Sequence, residues 1–184
     1  MARAKRQPTP RDMALSMGVL LIPVVLIALF FTRNPPDDAA VQSVDWQPVL
    51  AQARDQAPYP VLAPPSTPAG WRATKAAWTP VGKPISGGDT AVRNTWQLGF
   101  LDANTVYIAI EQGDDRLPEM IQDATRDGVV EGTSSIEGTI WERRLSEDGR
   151  TRSLVQQSAK VATVVSGDTS YDDLDAYVAT LTSS

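Results

Sequence analysis

Cysteine and histidine are both absent from this 184-residue chain. Their absence excludes thiol nucleophiles, disulfides, Cys/His zinc sites, Fe–S clusters, imidazole general bases and a lipidated cysteine. It also removes the side chain that ordinarily titrates between about pH 5 and 8. Basic residues are in deficit: 17 Lys/Arg against 22 Asp/Glu give a net charge of -5 and a pI near 4.7. A nucleic-acid binder would carry the opposite footprint. No internal repeat, heptad pattern or low-complexity tract is present, and neither G-x-x-x-x-G-K-[ST] nor G-x-G-x-x-G occurs to cradle phosphates.

What the chain does have is one long apolar run. Residues Met13 to Phe31 read MALSMGVLLIPVVLIALFF, without a charge. At ~1.5 Å per residue this makes a helix of about 28 Å, close to the ~30 Å hydrocarbon core of a bilayer. Pro23 lies mid-run, where membrane spans tolerate a kink. Arg3, Lys5, Arg6 and Arg11 precede the run against one acid, Asp12, while Arg33 and then Asp37 and Asp38 follow it. The positive-inside rule then places the N-terminus in the cytoplasm and exports the rest. The competing reading is a cleaved secretory signal. Against it stand the length of the run and the lack of a small-residue cleavage site at Phe30-Phe31-Thr32-Arg33. From Asn34 onward the chain carries 12 Lys/Arg and 21 Asp/Glu, a charge of -9.

The expected organisation is a basic cytoplasmic tail over residues 1–12, a transmembrane helix over 13–32, a Pro/Asp spacer over 33–43 and an extracytoplasmic domain over 44–184. The spacer, containing Asn34-Pro35-Pro36-Asp37-Asp38, is short and stiff. Beyond it, Asp45 is placed to cap a helix reaching about Gln56, with Trp46, Val49, Leu50 and Ala53 on one side. Five prolines between Ala57 and Pro68 forbid helix and central strand there. Strands are predicted at 71–78, 95–101, 105–111, 129–134, 139–145, 151–157 and 160–166. Asp102-Ala103-Asn104 suits a tight hairpin. Helices are predicted at 116–125, capped by Asp114 or Asp115 and stopped by Gly128, and at 170–181, where Ser170 and Asp173 have capping-box spacing. Hairpin-linked strands with few helices make this α+β, an antiparallel sheet with helices packed on one face.

This order of elements resembles a known family. A membrane anchor is followed by Gly70-Trp71, Trp78, Trp96-Gln97-Leu98-Gly99-Phe100 and Tyr107-Ile108-Ala109-Ile110-Glu111-Gln112, then Gly138 with Trp141-Glu142 and Val164-Val165-Ser166-Gly167. The pattern is similar to the actinobacterial membrane-protein family called domain of unknown function 4245. The resemblance implies topology and envelope location, and no activity. Element order also resembles the Mog1/PsbP-like sandwich, which implies a fold alone.

Five tryptophans, at 46, 71, 78, 96 and 141, offer either core or a stacking platform for a sugar ring. The platform reading selects Trp71, Trp78 and Trp141. Trp71 and Trp78 are seven apart, so on a regular strand they face opposite ways and at least one leaves the main core. The acids Asp168, Asp172, Asp173 and Asp175 lack EF-hand spacing and read as helix N-terminal charge, so no metal or cofactor is expected. Glu111 and Glu142 are the only carboxylate pair worth naming for glycoside hydrolysis, and Ser158 with Lys160 is a conceivable dyad at a turn. Arg143, Arg144, Arg150 and Arg152 read as a charge-balanced surface. The expectation is therefore a non-enzymatic, membrane-tethered ectodomain that binds another envelope component, most plausibly a protein. The alternatives are a glycan- or lipid-binding module and, less favoured, an envelope hydrolase.

Overall fold

The computed structural model describes Met17, residues 19–25, 42–85 and 87–183. Residues 19–25 are helical, and among the described residues no helix is long and apolar enough to cross a membrane. The basic tail, much of the apolar run and most of the spacer lie outside the described residues.

Ser43–Ser184 form one compact unit, an α+β domain built on a seven-stranded antiparallel sheet. Its elements are α1 (Gln47–Gln56), β1 (Arg72–Thr79), β2 (Thr95–Leu101), β3 (Tyr107–Gly113), α2 (Leu117–Ala124), β4 (Val129–Ile136), β5 (Thr139–Leu145), β6 (Arg152–Gln157), β7 (Ala162–Gly167) and α3 (Tyr171–Val178). The order across the sheet is β1-β2-β3-β7-β6-β5-β4. Two hairpins lay down the first three strands. The α2 segment then carries the chain to the far edge, and a second meander returns until β7 closes against β3. Every neighbouring pair is antiparallel, so no strand needs a long parallel crossover.

Alternation divides the sheet into two faces. Trp96, Leu98 and Phe100 of β2, Ile108 and Ile110 of β3, Leu154 of β6 and Val165 of β7 form the main core with α1 and α3. Val155, Val164 and Ala162 point the other way and are covered by Met120 and Ile121 of α2. The expectation that all helices share one face is thus corrected. β6 and β7 are apolar at consecutive positions, which marks strands buried on both sides, and α2 is the element that covers the second side.

The proline-rich crossing is an ordered strap over the main core. Pro60 and Leu62 meet the amide of buried Gln112: Leu62 N donates to Oε1 at 2.7 Å, and Nε2 donates to Pro60 O at 3.3 Å and Thr163 Oγ1 at 3.1 Å. Trp96 Nε1 donates to Leu62 O, and Trp46 Nε1 to Thr67 Oγ1, both at 3.0 Å. Prolines cannot supply ladder donors, so side chains of the sheet and of the α1 N-terminus hold the strap, together with a backbone bridge between Ala63 and Thr182.

Helix ends differ from expectation in detail. Asp45 Oδ1 accepts from Gln47 N at 3.3 Å, but the N-cap position is Trp46. Arg116, in the left-handed region, caps α2 without a side-chain bond, because Asp114 is engaged with Asn94 N and Nδ2. Arg126 and Asp127, not Gly128, take the positive φ that ends α2. The Ser170–Asp173 capping box of α3 is present in both directions.

Candidate functional site

The tryptophans decide where a ligand could touch this domain. Trp46, Trp78, Trp96 and Trp141 are all core rings, 5% exposed or less. Trp78 donates its indole N–H to Gln56 Oε1 at 2.8 Å, and Trp141 sits on β5 against α3's side of the sheet. The three-ring platform is therefore not assembled, since two of its rings are closed to solvent. Only Trp71 is half-buried and reaches a surface cleft.

Trp71 also departs from strict alternation. A bulge between Ala73 and Lys75 inserts Thr74 as an extra residue, so Ala73, Ala76 and Trp78 all face the main core. The odd spacing between Trp71 and Trp78 then leads to the same face rather than opposite faces. Just before β1, Trp71 stacks on Tyr177 of α3 with ring centroids 5.5 Å apart and planes inclined by 21°. Both rings contact Phe100, at 6.1 and 6.3 Å.

The cleft beside this pair has a volume of about 360 Å³, within the usual range of small-molecule sites (~300–1,000 Å³). The β2–β3 turn and the start of α3 supply its polar wall. Asp102 Oδ1 accepts from Asn104 N at 2.7 Å and Val106 N at 2.8 Å, which fixes the turn. Asp173 Oδ2 accepts from Thr169 Oγ1 and Ser170 Oγ, both at 2.6 Å. Those bonds hold the Asp173 carboxyl below the usual carboxylate range, the Ser170 hydroxyl contributing most. Burial raises the Tyr177 phenol well above its ordinary value, and its hydroxyl has no hydrogen-bond partner among the described residues. Tyr177 was legible only as a member of the α3 apolar stripe; nothing in its spacing foretold its stacking on Trp71.

The other candidates are dispersed. Glu111 and Glu142 share the α2 face of the sheet, but two strands separate them, through the pairings Glu111–Val164, Val164–Val155 and Val155–Glu142. Three interstrand spacings of ~4.8 Å put them about 14 Å apart, beyond the ~5–9.5 Å at which paired carboxylates cleave glycosides. Glu111 accepts from Gln97 Nε2 at 2.8 Å, and Glu142 pairs with Arg144 at 2.6 Å. Ser158 Oγ accepts from Lys160 N and Val161 N, which makes it a turn residue.

The acidic run is divided among local tasks as well. Asp168 takes Thr151 Oγ1 and Arg150, Asp173 caps α3, and Asp175 binds Arg143 at 3.0 Å and Ser134 Oγ at 2.7 Å. No group of three or more potential metal-ligating side chains occurs among the described residues. Arg152 donates to Thr169 O and lies over the Tyr171 ring, so the basic stretch is largely tied to its surroundings.

Two further surfaces stand out. A cavity of about 580 Å³ lies under the β1–β2 loop, with Arg93, Gln97 and Glu111 on its wall. At the far edge, β4 pairs only with β5 among the described residues, and Val129 and Val130 are 64% and 55% exposed.

The family model for protein of unknown function (DUF4245) matches residues 5–181. The chain belongs to that family. In this DUF4245 protein the family's description supplies no chemistry, so the geometry of the cleft and of the sheet edge must carry any reading. No curated protein matches the chain significantly.

Proposed function

We propose that this DUF4245 protein is a single-pass membrane protein of the actinobacterial cell envelope. Its N-terminus is cytoplasmic, its α+β domain is extracytoplasmic, and it works by binding another envelope component rather than by catalysis. The apolar run at 13–31, with basic residues before it and acids after it, supports the topology. The separation of Glu111 from Glu142 and the turn role of Ser158 support a non-catalytic reading. The proposal extends to architecture: an antiparallel sheet between helical layers agrees with what a Mog1/PsbP-like sandwich implies.

The observation that carries the binding reading is the open edge of β4. Its outward backbone groups, on the side away from β5, face no strand among the described residues, and the aliphatic side chains of Val129 and Val130 stand exposed beside them. A partner strand can add there through main-chain hydrogen bonds. The full chain, solubilised in detergent and captured by affinity, returns a stoichiometric protein partner; Val130→Lys, which puts a charge on that edge, loses it. Recovery of the protein alone, or a partner indifferent to Val130→Lys, counts against the reading. Protease added to intact cells digests the domain if the topology is right. A second reading, a module for cell-wall glycan or lipid, is favoured by the Trp71–Tyr177 cleft.

A further inference from the structure

We propose that the cleft between Trp71, the β2–β3 turn and the start of α3 binds a neutral pyranose unit. This deepens the second reading above and rests on it only in taking the domain to be a binder. Trp71 is the indole that reaches the cleft, and its stack on Tyr177 holds the ring in place. A pyranose presents an apolar C–H face, which suits an aromatic wall, and a rim of hydroxyls that needs acceptors.

The acceptors are present on the cleft's polar wall. Asp102 spends Oδ1 on two backbone N–H groups, and Asp173 spends Oδ2 on the Thr169 and Ser170 hydroxyls. Each carboxylate thereby has donors satisfying one oxygen, and the other oxygen accepts no hydrogen bond among the described residues. The oxygen left free on each carboxylate can accept an O–H donor directionally. Asn104, exposed at the turn, adds an amide that both donates and accepts. Among the described residues no lysine or arginine lines the cleft, so a phosphate or other anionic group finds no countercharge from them. Tyr177 also lines the cleft, with its hydroxyl buried and without a hydrogen-bond partner among the described residues.

The test uses the full chain in a polyoxyethylene detergent, which carries no sugar of its own. Maltose, cellobiose and N,N′-diacetylchitobiose are titrated while tryptophan fluorescence and calorimetric heat are followed. At least one disaccharide gives a saturable response, weakened about two- to tenfold in Trp71→Ala, the scale expected for losing an aromatic contact. Asn104→Ala, at an exposed turn position where folding is not at stake, also weakens it, and unfolding curves check that Trp71→Ala remains folded. No heat from any of the three at ~10 mM, above the millimolar end of ordinary affinities, overturns the proposal. So does binding unchanged in both variants, or a response to choline or inorganic phosphate without one to sugars. Partner capture through β4 is a separate measurement, so failure of either proposal leaves the other standing.

Discussion

Replacing Gln112 by leucine removes the amide that fastens the proline-rich strap to the sheet while keeping a side chain of similar size. Three hydrogen bonds are lost: Leu62 N to Oε1 at 2.7 Å, and Nε2 to Thr163 Oγ1 and Pro60 O at 3.1 and 3.3 Å. The Leu62 donor is the costly one, because its bond is partly buried where the strap meets the sheet and leucine offers it no acceptor. A buried group left unpaired costs ~1–3 kcal/mol, and each lost neutral bond ~0.5–1.5 kcal/mol. Pro60 is exposed and its carbonyl recovers water, while the Thr163 hydroxyl can rotate. Leucine offsets roughly 1 kcal/mol by added apolar burial, leaving a net loss of about 3 kcal/mol.

For a domain of this size that is a fall in Tm of roughly 9 °C, at ~3 °C per kcal/mol. Urea unfolding of the full chain measures the loss directly. Amide exchange at Leu62 should accelerate by about 100-fold, since ~1.4 kcal/mol is tenfold. Gln97→Leu is the control: that amide is half-buried on the opposite face, holds only Glu111, and should cost under ~1 kcal/mol. A Gln112→Leu protein within ~1 kcal/mol of wild type, or with Leu62 still protected, would refute the strap's dependence on this amide.

Ser170→Ala removes the α3 cap and should cost about 1 kcal/mol in urea unfolding. It should also flatten the acid limb, because Asp173 titrates below its ordinary value. The stability linked to that depressed pKa is present above about pH 4 and lost as pH falls through the native pKa. Asp175→Asn breaks the Arg143 pair and weakens the Ser134 bond at a half-exposed site, for a loss of about 1 kcal/mol that shrinks in high salt. At the alkaline end, burial raises Tyr59 and Tyr177, and burial with the Glu131 hydrogen bond pushes Tyr171 up to about 12. A raised native pKa stabilises below the unfolded value of ~10 and is lost as pH climbs through it. Melting temperature should therefore drop steeply between about pH 10 and 12, and a flat profile there would contradict the burial of these phenols.

Much of the architecture was legible because it is local. A period-two pattern located β2 at 95–101, a weaker strand signal placed β5 at 139–145, and a capping box located the start of α3. What local pattern could not supply is which way an irregular residue turns its neighbours. One inserted residue, Thr74, reverses the parity of β1 and brings Trp71 to the face that holds Trp78. Inverse burial on β6 and β7, apolar on both sides, signalled a second covered face, yet only packing names α2 as the cover.

The sequence by itself determined the composition limits, the apolar run, the positions of strands and helices, and the capping of α3, since each depends on neighbours a few residues away. The tertiary structure alone decided that four indoles are core and one meets a cleft. It also decided that Glu111 and Glu142 stand about 14 Å apart, three strand spacings of ~4.8 Å, and that among the described residues no strand covers the outer edge of β4. The physical reason is that sheet order and register join residues far apart in the chain, and a single bulge or crossover resets both.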